Sequence, residues 1–214
     1  MTQNARQLLA AATQELSSTQ GANELIELAS SGRLSRATMA CYVAEEEHIF
    51  TSDWGSYLTL AGRAPAQQER QFFMGLALGG AMGLASLGQL AAAYGADSRE
   101  PTPMCQAYPS YVAWLALNAD PADVVFALLA NFPTWCGYFS SLAKALREHH
   151  GLDDGACALL DALSAPNPQL HEQGLGILEA RLAAGWRPDT AGRYARFLRT
   201  YDLLFWNTVA ASNS

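Results

Sequence analysis

The stretch FFMGLALGGAMGLASLGQLAAAY, residues 72–94, carries no formal charge, and its reading decides the fold. It is long enough to cross a bilayer, which takes about 20 predominantly apolar residues. Gly79 and Gly83 stand in a GxxxG arrangement that permits close helix approach. Against a membrane span stand its Gly- and Ala-rich composition, Ser86 and Gln89 inside it, and no basic cluster flanking one end. Uncharged helices also occur in soluble cores and at subunit interfaces. The expectation is therefore a helix buried in a globular core or between copies of a homo-oligomer, with no membrane partner.

The rest of the chain agrees with a globular protein. It has 214 residues, 50% hydrophobic and 15% charged, enough for one domain with a substantial core. A net charge of −7 with 13 Lys+Arg and no basic run excludes a nucleic-acid surface, since phosphate neutralisation needs clustered cations. The beginning, MTQNARQLLA, lacks the charged and apolar regions of a secretory signal. Cys41, Cys105, Cys136 and Cys157 form no CxxC pair and no metal-finger spacing. Reduced thiols in a cytoplasmic protein are expected.

Helix signals punctuate almost the whole length. Gly32 is a stop and Ser35 a cap for a helix toward Arg63. After Pro65 a helix resumes near Gln67 and stops at Gly95. The segment ADSREPTPM reads as a loop, and a helix follows from Cys105 to Leu117. Asp120–Pro121 and Asn167–Pro168 each supply a cap plus a first-turn proline. Pro133 kinks or restarts its helix, Gly151 ends it, and the last helix runs from about Thr190 to Ala210. No sustained period-2 alternation and no repeat of fixed period is found. The reading is all-α: one bundle of roughly seven or eight helices spanning residues 1–214.

Three clusters carry possible chemistry. In EEEH, Glu45 to His48, adjacent positions point about 100° apart, so the three glutamates cannot share one site. Glu45 and His48 form an ExxH pair, but the last helix has no histidine to complete a di-iron set. No metal and no other cofactor is expected. In TYDLLFWNTV, Asp202 lies among Tyr201, Phe205 and Trp206. It is either a core residue paired with a cation such as Arg199 or a desolvated acid of raised pKa. Aromatics in QAYPSYVAW and TWCGYF fill a core unless their hydroxyls meet in one cavity.

Taken in order, these segments resemble the TenA (thiaminase II) family of heme-oxygenase-like helical bundles. The family's G-x-L…Y-L-x-Q-D-x-x-Y-L is matched by Gly32, Leu34 and YVAEEEHIF. Its a-Y-x-x-Y-L is matched by QAYPSYV, its L-P-C-x-x-x-Y by FPTWCGY, and its Y-E-x-x-F-W-D by YDLLFWN. The similarity covers about residues 20–145 and 190–210. It implies that Glu46 replaces a substrate-holding aspartate and that Asp202 replaces an acid/base glutamate. Tyr108 and Tyr138 match pocket tyrosines, and Phe205 matches a stacking phenylalanine. Ile49 falls where the family has a tyrosine.

The stretch NFPTWCGYF, residues 131–139, sets this chain apart. The family cysteine directly follows the proline and precedes the tyrosine by four. Pro133 and Tyr138 place Thr134 there, and Cys136 lies about 200° further round a helix. A threonine hydroxyl lacks the thiolate fraction of cysteine near neutral pH. The family's Y-x-x-W-I segment is missing, with ACALLDALSAP in its place. The resemblance then implies a binder of a thiamine-related aminopyrimidine, or a cysteine-independent hydrolase working through Glu46 and Asp202. The alternatives are a non-catalytic ligand-binding or regulatory protein on the same frame, and a heme-oxygenase-like redox enzyme using Glu45 and His48.

Overall fold

The computed structural model describes residues 4–18, 21–97 and 99–213. Among them are nine helices and no strand: α1 (Ala5–Ser18), α2 (Glu24–Ser30), α3 (Arg36–Arg63), α4 (Gln67–Tyr94), α5 (Pro103–Asn118), α6 (Pro121–His150), α7 (Asp154–Ser164), α8 (Pro168–Ala183) and α9 (Asp189–Ala210). The two short N-terminal helices raise the number above the seven or eight expected. Local chemistry explains most boundaries. The Ser35, Asp120 and Asn167 side chains accept backbone N–H groups of Thr38, Ala122 and Leu170, satisfying donors that a first turn leaves open. Gly95 and Gly151 end α4 and α6 at φ +64° and +65°, a left-handed conformation that glycine adopts without a Cβ clash.

Two boundaries differ from the sequence reading. The loop before α5 is shorter, because Pro103 opens the helix and Thr102 caps it through the Cys105 N–H. A proline in the first turn forfeits no helical bond. Pro133 does not restart a helix; α6 runs through it to His150. Asn131, two residues earlier and fully buried, donates from Nδ2 to the carbonyls of Ala127 (2.8 Å) and Ala195 (3.1 Å). That fastens α6 to α9 beside the proline.

Helix α4 packs on α3, α7 and α8, while α6 lies against α9 and α7, and α5 bridges α3 and α9. The seam between α3 and α4 is close at Gly83, where a Cβ would stand 2.6 Å from Phe50 Cε1. Gly79 faces open space, so the GxxxG pair does not act as a pair. Nor is α4 wholly buried. Phe72, Phe73, Ala77, Leu87 and Leu90 face the core, whereas Met74, Leu78 and Met82 are 58%, 63% and 63% exposed. By length and composition this one helix could cross a membrane. Yet Glu69 in its first turn is buried beside Arg181 of α8, at 3.5 Å. The core is built around Trp206, Tyr42, Phe72, Phe73 and Phe205, and all four cysteines are free.

Candidate functional site

The inner face of α3 carries Tyr42, Glu46, Asp53 and Tyr57, all buried. Their separations of four, seven and four residues return to one side of a helix. Glu46 and Tyr42 form one hydroxyl–carboxyl pair, Asp53 and Tyr57 another, each at i,i+4. Opposite them α9 presents Arg199, Asp202, Phe205 and Trp206, also buried. Tyr108 enters from α5 and Tyr138 from α6. Four helices thus converge on a polar centre.

Burial dominates its electrostatics. Removal from water pushes the Glu46 carboxyl up to about 7; the Tyr42 hydroxyl pulls it back, and the charge of Asp202 adds to the rise. Asp53 is pushed up to about 8 by burial, with Glu46 adding and Tyr57 opposing. Asp202 is pushed up to about 7 by burial, against the Arg199 guanidinium and the indole donors of Trp206 and Trp135. Trp206 Nε1 donates to Asp202 Oδ1 at 3.1 Å, while Trp135 Nε1 lies short of a full hydrogen bond. All three carboxyls are thus raised toward neutral pH, chiefly by burial.

Most of the sequence-predicted residues meet here. Glu46, Asp202, Tyr108, Tyr138 and Phe205 are buried together. Ile49 lies half-buried one turn from Glu46 on α3, and Thr134 is half-buried on α6, where its hydroxyl makes no hydrogen bond to a described residue. Cys136 is half-buried too, and burial raises its thiol pKa. That favours the protonated, unreactive form.

Glu45 and His48 do something else. Glu45, 1% exposed, accepts the Thr102 N–H at 2.9 Å, and His48 Nε2 bonds the Arg99 carbonyl at 2.5 Å. The pair fastens the segment before α5 to α3. Among the described residues no group of three or more His, Cys, Asp or Glu is arranged to hold a metal. Asp53 was missed by sequence reasoning. Its signal is its place seven residues after Glu46 and four before Tyr57, on one helix face.

A cavity of about 150 Å³ on the α3–α4 seam is lined by Val43, Ala44, Glu47, Leu84 and Leu87 among others. None of Glu46, Asp53 and Asp202 lines it.

This geometry defines a class: an all-α bundle with a heme-oxygenase-like fold. Solved structures with the same fold include a domain of unknown function from Shewanella denitrificans, described as heme oxygenase-like. It is 15% identical, with a TM-score of 0.68 over 95% of this chain and 89% of that one. A TenA homologue from Pyrococcus furiosus is 14% identical, with a TM-score of 0.70 over 96% and 99% of the two chains. A TenA family transcription regulator from Silicibacter sp. TM1040 is 14% identical, with a TM-score of 0.67 over 97% and 96%. No family model matches the sequence, and no curated protein does. The chain is TenA-like in fold, at a sequence distance where only structure carries the likeness.

Proposed function

We propose that this TenA-like protein binds a small nitrogen heterocycle of the aminopyrimidine or thiamine-related class and hydrolyses a C–N bond without a cysteine nucleophile. The observation that carries this reading is the facing pair Glu46 and Asp202, both buried and both raised to about 7. Glu46 accepts the N–H groups of an amidine-like ring edge, where a carboxylate matches two parallel donors. Asp202 gives a proton to the departing nitrogen and its conjugate base takes one from the attacking water, so the acid is regenerated. Phe205 and Tyr138 supply the ring's apolar and edge contacts. No covalent intermediate on Thr134 is invoked.

A non-catalytic binder is the second reading, favoured by Arg199 lying 4.0 Å from Asp202 Oδ2. An acid held as a counter-ion is a poor proton donor. Turnover of 4-amino-5-aminomethyl-2-methylpyrimidine, followed by ammonia release, separates the two. Release abolished by Glu46→Gln supports hydrolysis; a raised melting temperature without release leaves a binder. Ligands that neither turn over nor shift the melt would sink both readings. We also propose a homo-oligomeric, cytoplasmic protein with no nucleic-acid partner.

A further inference from the structure

We infer that the ligand of this centre carries a carboxylate, which Arg199 receives through its guanidinium edge. This rests on the reading of the centre as a heterocycle site and deepens it by naming the ligand's second functional group. Arg199 is 5% exposed, and none of Nε, Nη1 or Nη2 has a hydrogen-bond partner among the described residues. A guanidinium offers five N–H donors in a planar fork. Its nearest counter-charge, Asp202 Oδ2, stands 4.0 Å away and is itself unbonded. The Tyr138 hydroxyl interacts with the guanidinium through charge and as a hydrogen-bonding neighbour, yet no guanidinium nitrogen reaches full hydrogen-bond geometry.

The surrounding groups share the imbalance. Asn23 Nδ2, near the Tyr138 hydroxyl, and Trp135 Nε1, near Asp202, are buried donors without partners. Against these donors the centre offers two open acceptors, Asp202 Oδ2 and, on α3, Asp53 Oδ1, fewer than the N–H groups of the guanidinium alone. Buried donors left unmade are costly, and a buried guanidinium whose one ion pair is at 4.0 Å and whose nitrogens make no hydrogen bond is among the costliest. A carboxylate has two oxygens with about four acceptor sites and matches the fork bidentately. Arg199 would then serve as a specificity determinant: Glu46 grips the basic ring edge and Arg199 the acidic substituent. A neutral ring would leave the guanidinium as it is.

The test uses two matched pairs on the purified protein: 4-amino-2-methylpyrimidine-5-carboxylate with 4-amino-2,5-dimethylpyrimidine, and nicotinate with 3-methylpyridine. Dissociation constants come from calorimetry. The carboxylated aminopyrimidine is expected to bind about 10- to 100-fold more tightly than its methyl partner, the range for hydrogen bonds to a charged group. Arg199→Met is expected to erase that preference while keeping affinity for the dimethyl ring. Should Arg199→Met fail to fold, Arg199→Lys carries the test. It keeps the charge, loses the fork, and is expected to lose most of the preference. Equal or tighter binding of the dimethyl ring overturns the inference and leaves the proposed function standing. Binding of nicotinate, with neither pyrimidine bound, supports the inference and overturns the aminopyrimidine reading. Binding of none of the four overturns both.

Discussion

The outer face of α4 and the centre between α3 and α9 invert the usual distribution of residues in opposite ways. Met74, Leu78 and Met82 form an i,i+4 stripe left in water; Trp54 and Leu58 of α3 are also left 43% and 49% exposed. In the centre Glu46, Asp53, Arg199 and Asp202 are shut away from water. Each inversion costs free energy in the isolated chain: unburied apolar area in one case, desolvated charge in the other. The difference lies in what would relieve the cost. A flat apolar stripe is relieved by another apolar face, an enclosed polar centre by a small polar molecule.

The largest expected effect belongs to the centre. Asp202→Asn keeps the shape and removes the proton-transfer group, so turnover of the bound heterocycle is expected to fall by about 10²–10⁴-fold. Binding, read as a thermal shift, should change far less than rate. Unchanged turnover at full stability would detach Asp202 from the chemistry and reduce the centre to a counter-ion pair.

The outer face is tested by sedimentation. If a second copy covers the stripe, the native protein sediments above monomer mass at micromolar concentration, and Leu78→Lys shifts it to monomer. Leu78 is 63% exposed, and such surface changes cost the fold about 0.5 kcal/mol or less. A native monomer at that concentration breaks the comparison, since the stripe would then be unpartnered.

The two regions were not equally legible in the sequence. The all-α frame could be read from caps and stops such as Ser35, Asp120–Pro121 and Gly151, because those signals are local. The aromatic surround of Asp202 marked a buried acid locally, while the pairing of Glu46 with Asp202 came through resemblance, because their meeting is a tertiary fact that no local spacing states. Asp53 escaped because a lone aspartate in a helix is ordinarily solvated; its spacing to Glu46 and Tyr57 names a face, and packing beside Tyr57 and Tyr108 is what buries it. Glu45 and His48 offered an ExxH spacing that local sequence could not place. Their real partners, Thr102 and Arg99, are more than fifty residues away. The exposed face of α4 was invisible to composition, which is apolar on both sides.

A smaller effect distinguishes centre from surface through pH. Glu46, Asp53 and Asp202 all have folded-state pKa values above their ordinary range. Folding therefore takes up protons between the unfolded and folded values. The stability they contribute is fully present below the unfolded values, about 4, and is lost as pH rises through the folded values near 7 to 8. His150, lowered by burial, acts with the opposite slope at and below its usual range, so the window of interest lies above it. The melting temperature is expected to fall between pH 6.5 and 8.5, and Asp53→Asn to flatten that fall. A melting temperature that climbs across this window, indifferent to Asp53→Asn, would place water rather than protein around these acids.

The smallest expected effect is at Cys136. It is half-buried on α6, its thiol is raised by burial, and no described residue supplies a base to it. Cys136→Ala should leave binding and turnover within about twofold, since neither the carboxyl pair nor Arg199 depends on it. Thr134→Cys restores a thiol directly after Pro133 and four residues before Tyr138, and is the sharper variant. At most a trace of thiamine cleavage is expected from it. A nucleophile contributes little without an adjacent base, and the aromatic partner is still missing where Ile49 stands. Loss of activity in Cys136→Ala at unchanged melting temperature would move the nucleophile to Cys136 and shift the alignment of α6 by two residues. The carboxyl centre would then be the support for a thiol and not the chemistry itself.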